Sequence, residues 1–155
     1  MAGRELSGLT STDLAALLSP LAKATAVGQL EWRVKKPRCH EGVIKVHTVV
    51  ADCPLGALRI YFVEPRPDRV HLQYLVNGSW VRRLDVNDEH RGVENTHKHT
   101  HIPATGREGV YTPDDIPEVP GGPTVAPGTY RRVFEAFAAE CHIELPDGYW
   151  TEPGR

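Results

Sequence analysis

A cluster of histidines is the strongest chemical signal in the sequence. Four of the eight histidines fall within residues 89–102, namely His90, His97, His99 and His101. Alternate residues of an extended strand point to the same side, about 6.5 Å apart. If the run from His97 to His101 is extended, its three imidazoles therefore lie on one side. Arg83 and Asp85, a short distance upstream, add a cation and a carboxylate to the candidate site.

One interpretation of this cluster is a metal site. Neutral imidazole is a common ligand of zinc and related divalent ions, which usually take three or four protein ligands. The candidate ligand sets are His97, His99 and His101 together, or two of these with His90 or Asp85. The metal would be a divalent ion such as zinc or manganese, and the protein would be a metal-dependent hydrolase.

A second interpretation is acid–base catalysis on RNA, without a metal or any other cofactor. Histidine titrates near neutral pH, so one imidazole can take a proton from a ribose 2′-hydroxyl while another protonates the leaving 5′-oxygen. His99 and His101 would be the acid and the base, with His90 as a further catalytic candidate. Arg83 or Arg82 would stabilise the charge that develops on phosphorus, and Asp85 would orient Arg83 or a histidine.

A third interpretation involves no catalysis. A short histidine-rich segment can be solvated surface, or can bind nickel or zinc adventitiously. The protein would then be a binding or regulatory domain, whose long Pro/Gly-rich loop contacts a partner protein. The residues alone leave these three interpretations open.

Length and composition restrict the class of protein. The chain has 155 residues, enough for one domain, which we place at residues 1–155. Its 18 basic and 20 acidic residues give a formal net charge of −2, which argues against a broadly basic surface for duplex binding. No apolar run approaches the roughly 20 residues of a membrane helix, and no secretory signal follows Met1. We therefore expect a cytoplasmic protein without membrane association.

Several other site types lack their sequence signals. The three cysteines include no C-x-x-C pair, so a disulfide framework and a cysteine-rich zinc site are unsupported. The P-loop, the nucleophile elbow and the dinucleotide-binding glycine motif are also absent from the sequence.

Helix signals occur at both ends of the chain. Thr10 to Asp13 resembles a capping box, which predicts an N-terminal helix. Ser19 and Pro20 favour the start of a second short helix that would run to Val27, with a single kinked helix as the alternative. After Gly128, apolar residues at helical spacing predict a C-terminal helix.

Strand patterns fill the middle of the chain. Alternating apolar and polar residues predict about five strands. They are the stretch around Leu30–Val34, then Val43–Ala51, Ala57–Val63, Arg69–Val76 and Ser79–Val86. Residues 103–128 are rich in proline and glycine and predict a long loop. The fold class is therefore α+β: a mostly antiparallel sheet packed against an N-terminal helix or helix pair and a C-terminal helix.

The Asn-Gly pair at 77–78 predicts a two-residue hairpin turn. A regular hairpin around this turn pairs Leu72 with Arg83. It likewise pairs Val70 with Asp85, so Arg83 and Asp85 would share a face with the apolar residues of the preceding strand.

The sequence resembles a group of small uncharacterised prokaryotic proteins. The resemblance covers about residues 79–143 and rests on Arg83-Leu84-Asp85, then His90, then His99-Thr100-His101-Ile102, and a helix ending in Cys141-His142-Ile143. That group is in turn remotely similar to the TumE-type toxins of toxin–antitoxin systems, which carry an Arg-x-Asp strand followed by a histidine-rich stretch.

The resemblance implies a function and a set of site residues. The function would be that of a small intracellular ribonuclease-like toxin or defence protein, with RNA as substrate and a protein antitoxin as partner. The site residues that match the group's pattern are Arg83, Asp85, His90, His99 and His101. His97 lies outside that pattern.

Overall fold

The computed structural model describes residues 9–51, 53–88, 96–101 and 108–154. Its elements are α1 (Ser11–Leu17), a 3₁₀ helix (Pro20–Ala22), β1 (Thr25–Lys35), β2 (Cys39–His47), β3 (Leu55–Val63), β4 (Arg66–Val76), β5 (Ser79–Val86), β6 (His97–His101), β7 (Glu108–Tyr111) and α2 (Thr129–Glu140). The strands form one antiparallel sheet in chain order. The predicted α+β class is confirmed, and the sheet is larger than predicted, with seven strands in place of about five.

The capping box at the start of α1 is confirmed. The hydroxyl of Thr10 accepts a hydrogen bond from the backbone N–H of Asp13, and the Asp13 carboxylate accepts one from the backbone N–H of Thr10, both at 3.0 Å. These two bonds satisfy N–H groups that the first turn of a helix leaves without partners.

The predicted second helix is much shorter than expected. Ser19 caps a 3₁₀ turn that begins at Pro20, as predicted, but the turn ends at Ala22 instead of Val27. Lys23 then adopts a left-handed conformation with φ of 49°, and β1 begins two residues later. Ala22, Ala24 and Ala26 are buried and alternate with less buried residues, which is the strand pattern that the helix prediction overlooked.

The two additional strands lie beyond the predicted hairpin. The His97–His101 run is extended and forms β6, which pairs with β5. Residues 108–111 form β7, a short strand within the predicted loop at 103–128, and it pairs with β6. Residues 112–126 contain neither helix nor strand.

The two faces of the sheet differ in chemistry. One face and the apolar side of α2 share a hydrophobic core. The large, fully buried core side chains on the sheet include Leu30, Ile44, Leu58, Ile60, Leu72, Tyr74 and Leu84. The helix contributes the predicted stripe of Tyr130, Val133, Phe134, Phe137 and Cys141.

The opposite face, which we call the polar face, carries two rows of register-paired residues. The first row is Arg33, Glu41, Tyr61, His71, Asp85 and His97. The second row is Val43, Arg59, Gln73, Arg83 and His99. Because paired residues of a sheet point to the same side, the candidate site lies on this face.

The register of the β4–β5 hairpin differs from the prediction. The first pairs after the turn, up to Leu75 with Trp80, follow the expected order. Tyr74 then pairs with Arg82 in place of Val81, so β5 carries one extra residue at this point. A β-bulge of this kind shifts every later pair by one residue.

The shift moves the candidate site off the core face. Asp85 pairs with His71 and Arg83 pairs with Gln73, so the predicted pairing of these residues with Val70 and Leu72 is wrong. The physical reason is burial: Val81, Leu84 and Val86, at most 1% exposed, all reach the core because of the bulge. A regular hairpin would have placed a cation and a carboxylate there without solvation.

The C-terminal segment covers the open edge of the sheet. The backbone N–H groups of Ala26 and Leu30 donate to the carbonyls of Glu144 and Tyr149, both at 2.8 Å. These bonds occupy N–H groups of β1 that an edge strand otherwise exposes. Neither helix of the described residues has the length and apolar composition needed to cross a membrane.

Candidate functional site

Asp85 is the centre of a cluster of histidines on the polar face. Its Oδ1 lies 2.7 Å from Nδ1 of His71 on β4. Its Oδ2 lies 2.9 Å from Nε2 of His99 and 3.4 Å from Nε2 of His97, both on β6. The two strands that flank β5 thus direct three imidazoles at one carboxylate.

The cluster is recessed below the surface. His97 is fully buried, and His99 and Asp85 are only 7% and 8% exposed. Burial acts to raise the pKa of the Asp85 carboxyl. The hydrogen bond from His71 and favourable interactions with His71, Arg83 and His99 outweigh burial and hold that pKa at about 2. Asp85 is therefore a carboxylate at neutral pH.

His71 connects Asp85 to a second carboxylate. Its other ring nitrogen, Nε2, lies 3.9 Å from Oδ2 of Asp88, and its ring stacks on Tyr61 with centroids 4.8 Å apart. His71 is not among the site residues predicted from the sequence. The regular register predicted from the sequence places Val70, and not His71, opposite Asp85. The contact between His71 and Asp85 depends on the bulge, and we find no local sequence signal for the bulge.

Arg83 lies beside the cluster in the second row. It pairs in register with His99. Its guanidinium carbon lies 5.0 Å from the ring centroid of Trp80, whose indole meets the His99 ring edge-on at 6.5 Å. The cation–π contact holds a positive charge next to the histidines.

The structure describes the remaining predicted site residues to different extents. His90 lies outside the described residues, and His101 is described as the last residue of β6 without its side chain. The predicted acid–base pair of His99 and His101 and the predicted metal ligand His101 therefore stay predictions. His97, which the resemblance left out, belongs to the cluster.

Lys98 fixes β6 from the other side of the sheet. This lysine is 1% exposed, and its ammonium group contacts both Asp115, at 2.8 Å, and Glu140 of α2. Burial lowers its pKa, against the opposing effect of Asp115. Glu140 also accepts hydrogen bonds from Arg82 and Tyr111, so strands β5, β6 and β7 are joined to one helix residue. This network sets the position of the strand that carries His97 and His99.

The geometry of the cluster fits a divalent cation. One ligand atom each from Asp85, His97 and His99 lie within 4.8 Å of one another. Ligands about 2.1 Å from a tetrahedral ion are about 3.4 Å apart, which matches the separation of His97 from Asp85. The 2.9 Å separation of His99 from Asp85 needs a small opening. His71, Asp85 and Asp88 form a second such group, which shares Asp85.

Comparisons with protein-family models, with curated proteins and with solved structures find no match to this chain. The resemblance to the TumE-type toxins stays a prediction, and the chemistry of the cluster has to be argued from its own geometry.

Proposed function

We propose that this protein is a metal-dependent hydrolase in which Asp85, His97 and His99 hold one divalent cation. The observation that carries the proposal is the convergence of two imidazole nitrogens on one carboxylate oxygen, among side chains that are at most 8% exposed. Two nitrogen ligands and one carboxylate oxygen are typical of catalytic zinc sites.

The surrounding residues suit this role. Three protein ligands leave a coordination position for water, whose pKa a bound zinc ion lowers toward neutrality. His71, which contacts the other oxygen of Asp85, would orient the carboxylate as an outer-shell partner. The Arg83 guanidinium, next to His99, would stabilise negative charge on a reacting phosphate or carbonyl group.

Metal-free cleavage of RNA is supported less well by this geometry. An acid and a base that act on one phosphodiester have to reach the attacking and the leaving oxygen, which lie on opposite sides of phosphorus. His97 and His99 instead direct their Nε2 atoms at the same Asp85 oxygen. The ribonuclease, toxin and antitoxin assignments stay predictions from the sequence.

Metal content tests the proposal directly. We expect tag-free protein to hold about one equivalent of zinc or manganese after loading and desalting, and Asp85→Asn and His99→Asn to hold far less. His47→Asn, an exposed histidine at the end of β2, is the matched control and should keep the metal. Equal metal in wild type and both site variants would refute the site. One equivalent of iron would point to oxidative chemistry instead, because non-haem iron uses the same ligand set.

A second experiment tests hydrolysis. The loaded protein is assayed on an activated phosphodiester and an activated ester, before and after chelation and after metal is restored. Hydrolysis that chelation removes, that metal restores and that Asp85→Asn lacks supports the proposal. A fully loaded protein that hydrolyses neither compound contradicts it.

A further inference from the structure

The polar face is basic although the whole chain is not. The chain carries a formal net charge of −2. The basic side chains on this face nevertheless outnumber the acidic ones. The basic residues are Arg33, Lys35, Lys45, Arg59 and Arg83, and the acidic residues are Glu31, Glu41, Asp85 and, beside His71, Asp88. Charge is therefore segregated onto the face that carries the histidine cluster, which favours an anionic ligand there.

A buried carboxylate organises the basic residues at one end of this face. Glu41 is 1% exposed and contacts three cations. Arg33 lies 2.8 Å and Lys35 3.0 Å from its oxygens, and Arg59 donates to it as well. Three cations around one carboxylate leave excess positive charge. The side chains of Arg33 and Lys35, at 66% and 45% exposed, present that charge to solvent.

Aromatic rings hold two arginines of the second row, Arg59 and Arg83, which lie between Glu41 and the cluster. The Arg59 guanidinium carbon lies 4.1 Å from the ring centroid of Tyr61, and Arg83 lies over Trp80 in the same way. Arg59 also donates to Gln73 at 3.0 Å. Guanidinium groups that are already fixed lose less conformational freedom when they bind phosphate.

The spacing of these cations suits a chain of phosphates. Arg83 lies one strand from His99, and Arg59 lies two strands further along the same row. With neighbouring strands about 4.8 Å apart, Arg59 is about 14 Å from His99. Arg33 and Lys35 lie beyond it, on β1. The basic residues thus form a track that leads away from the cluster. A single small anion would need only one of these residues, whereas a chain of phosphates can contact several.

We propose that this track binds the backbone of a single-stranded nucleic acid and directs one of its phosphodiesters to the Asp85, His97 and His99 cluster. The assignment of the cluster as the reacting site rests on the proposed function. A single strand is favoured over a duplex because the cluster is recessed, and a flexible strand can bend one phosphate into it. A rigid duplex cannot bend a phosphate into the cluster. The chain is acidic as a whole, and its basic face is too small to cover a duplex.

Fluorescence anisotropy with a labelled oligouridylate of about 15 nucleotides tests the track. The wild type is titrated at about 50 mM salt and at higher salt, and the oligomer is checked for integrity on a gel afterwards. Arg33→Gln/Lys35→Gln should weaken binding roughly tenfold and reduce the salt slope by about 1.4, because two phosphate contacts are lost. Glu31→Gln, which removes an exposed negative charge from the same face, should tighten binding about twofold.

The matched control is Arg131→Gln/Arg132→Gln on α2, which changes the net charge equally on the other side of the molecule and should leave the affinity unchanged. Three results would overturn the inference: no binding by the wild type, equal loss in both double variants, or tighter binding of a duplex of the same length. Metal content is measured on the same samples. A protein that binds metal but not the oligomer would refute only the track. A protein that binds the oligomer but no metal would refute only the proposed hydrolase.

Discussion

His71 and Asp85 face each other across the β4–β5 ladder, with 2.7 Å between Nδ1 and Oδ1. The contact uses the Asp85 oxygen that points away from His97 and His99, so His71 can orient the carboxylate without competing for the ion. His71→Ala should therefore retain the metal site but weaken it about tenfold, as loss of an outer-shell partner does. A chelator competition titration measures this, with His47→Ala as control. Unchanged affinity would remove His71 from the site.

The bulge at Val81 determines which residues reach the cluster. Deleting Val81 removes the extra residue and leaves a regular hairpin in which Arg83 still pairs with Gln73 and Asp85 with His71, so we expect the deletion variant to fold and to keep the metal site, with the loss of one buried side chain. Val81→Ala keeps the register and should cost only about 2 kcal/mol of unfolding free energy. Urea denaturation followed by circular dichroism compares the two. A deletion variant that is unfolded, or that folds without binding metal, would contradict this account of the register.

The bulge also marks the limit of what the sequence alone can predict. The Asn77-Gly78 turn, the strand patterns on both sides of it and the stripe of α2 are local signals, and they predicted these elements correctly. The extra residue in β5 depends on which side chains the core can accept after the whole sheet has assembled. No pattern within the hairpin indicates it, so the regular register predicted from the sequence places Arg83 and Asp85 on the wrong face.

The candidate site was also predictable only in part, because some of its contacts depend on the assembled sheet. The sequence indicates His97 and His99 because histidines at alternate positions of an extended run share a side, and β6 has that form. It indicates Asp85 as a carboxylate a short distance upstream of that run. His71 and Lys98 could not be selected. His71 reaches the site only through the shifted register, and Lys98 looks like a surface lysine until α2 and Asp115 are placed beside it.

Lys98 should contribute to both stability and metal affinity. Lys98→Met removes the cation that Glu140 and Asp115 share in the core, and we expect a loss of about 3 kcal/mol of unfolding free energy. Asp115→Asn should cost less, because the Asp115 side chain is 41% exposed. Urea denaturation measures both. Equal stability of Lys98→Met and the wild type would show that the buried network does not hold β6.

The network should also act on the metal site at a distance. Metal affinity is measured without urea, under conditions in which Lys98→Met is folded. The affinity of Lys98→Met should be lower than that of Asp115→Asn, because Lys98→Met removes the link between β6 and α2. Chelator competition on the two variants tests this, with circular dichroism to verify that both are folded. Identical affinities would mean that His97 and His99 are positioned by the β5–β6 pairing alone.

Glu41 should give the fold a dependence on acid pH. Burial acts to raise the pKa of this carboxyl, but hydrogen bonds from Lys35, Arg33 and Arg59 outweigh burial and lower the pKa from 4.5 to about 2. A carboxyl whose pKa is depressed on folding stabilises the fold above its unfolded pKa, and this contribution is lost as the pH falls toward the folded value. Its stabilisation is therefore complete above about pH 4.5 and disappears toward about pH 2.

Glu41→Gln isolates this contribution. At pH 6 the variant should be less stable than the wild type by about 2 kcal/mol, a figure reduced from the full pKa shift because Arg33 and Lys35 are solvent-exposed. The difference should shrink steadily as the pH is lowered from 4.5, since protonated glutamate and glutamine are then alike. Urea denaturation at a series of pH values measures it. A difference independent of pH would assign the stability to packing and hydrogen bonding of Glu41, with no role for its charge.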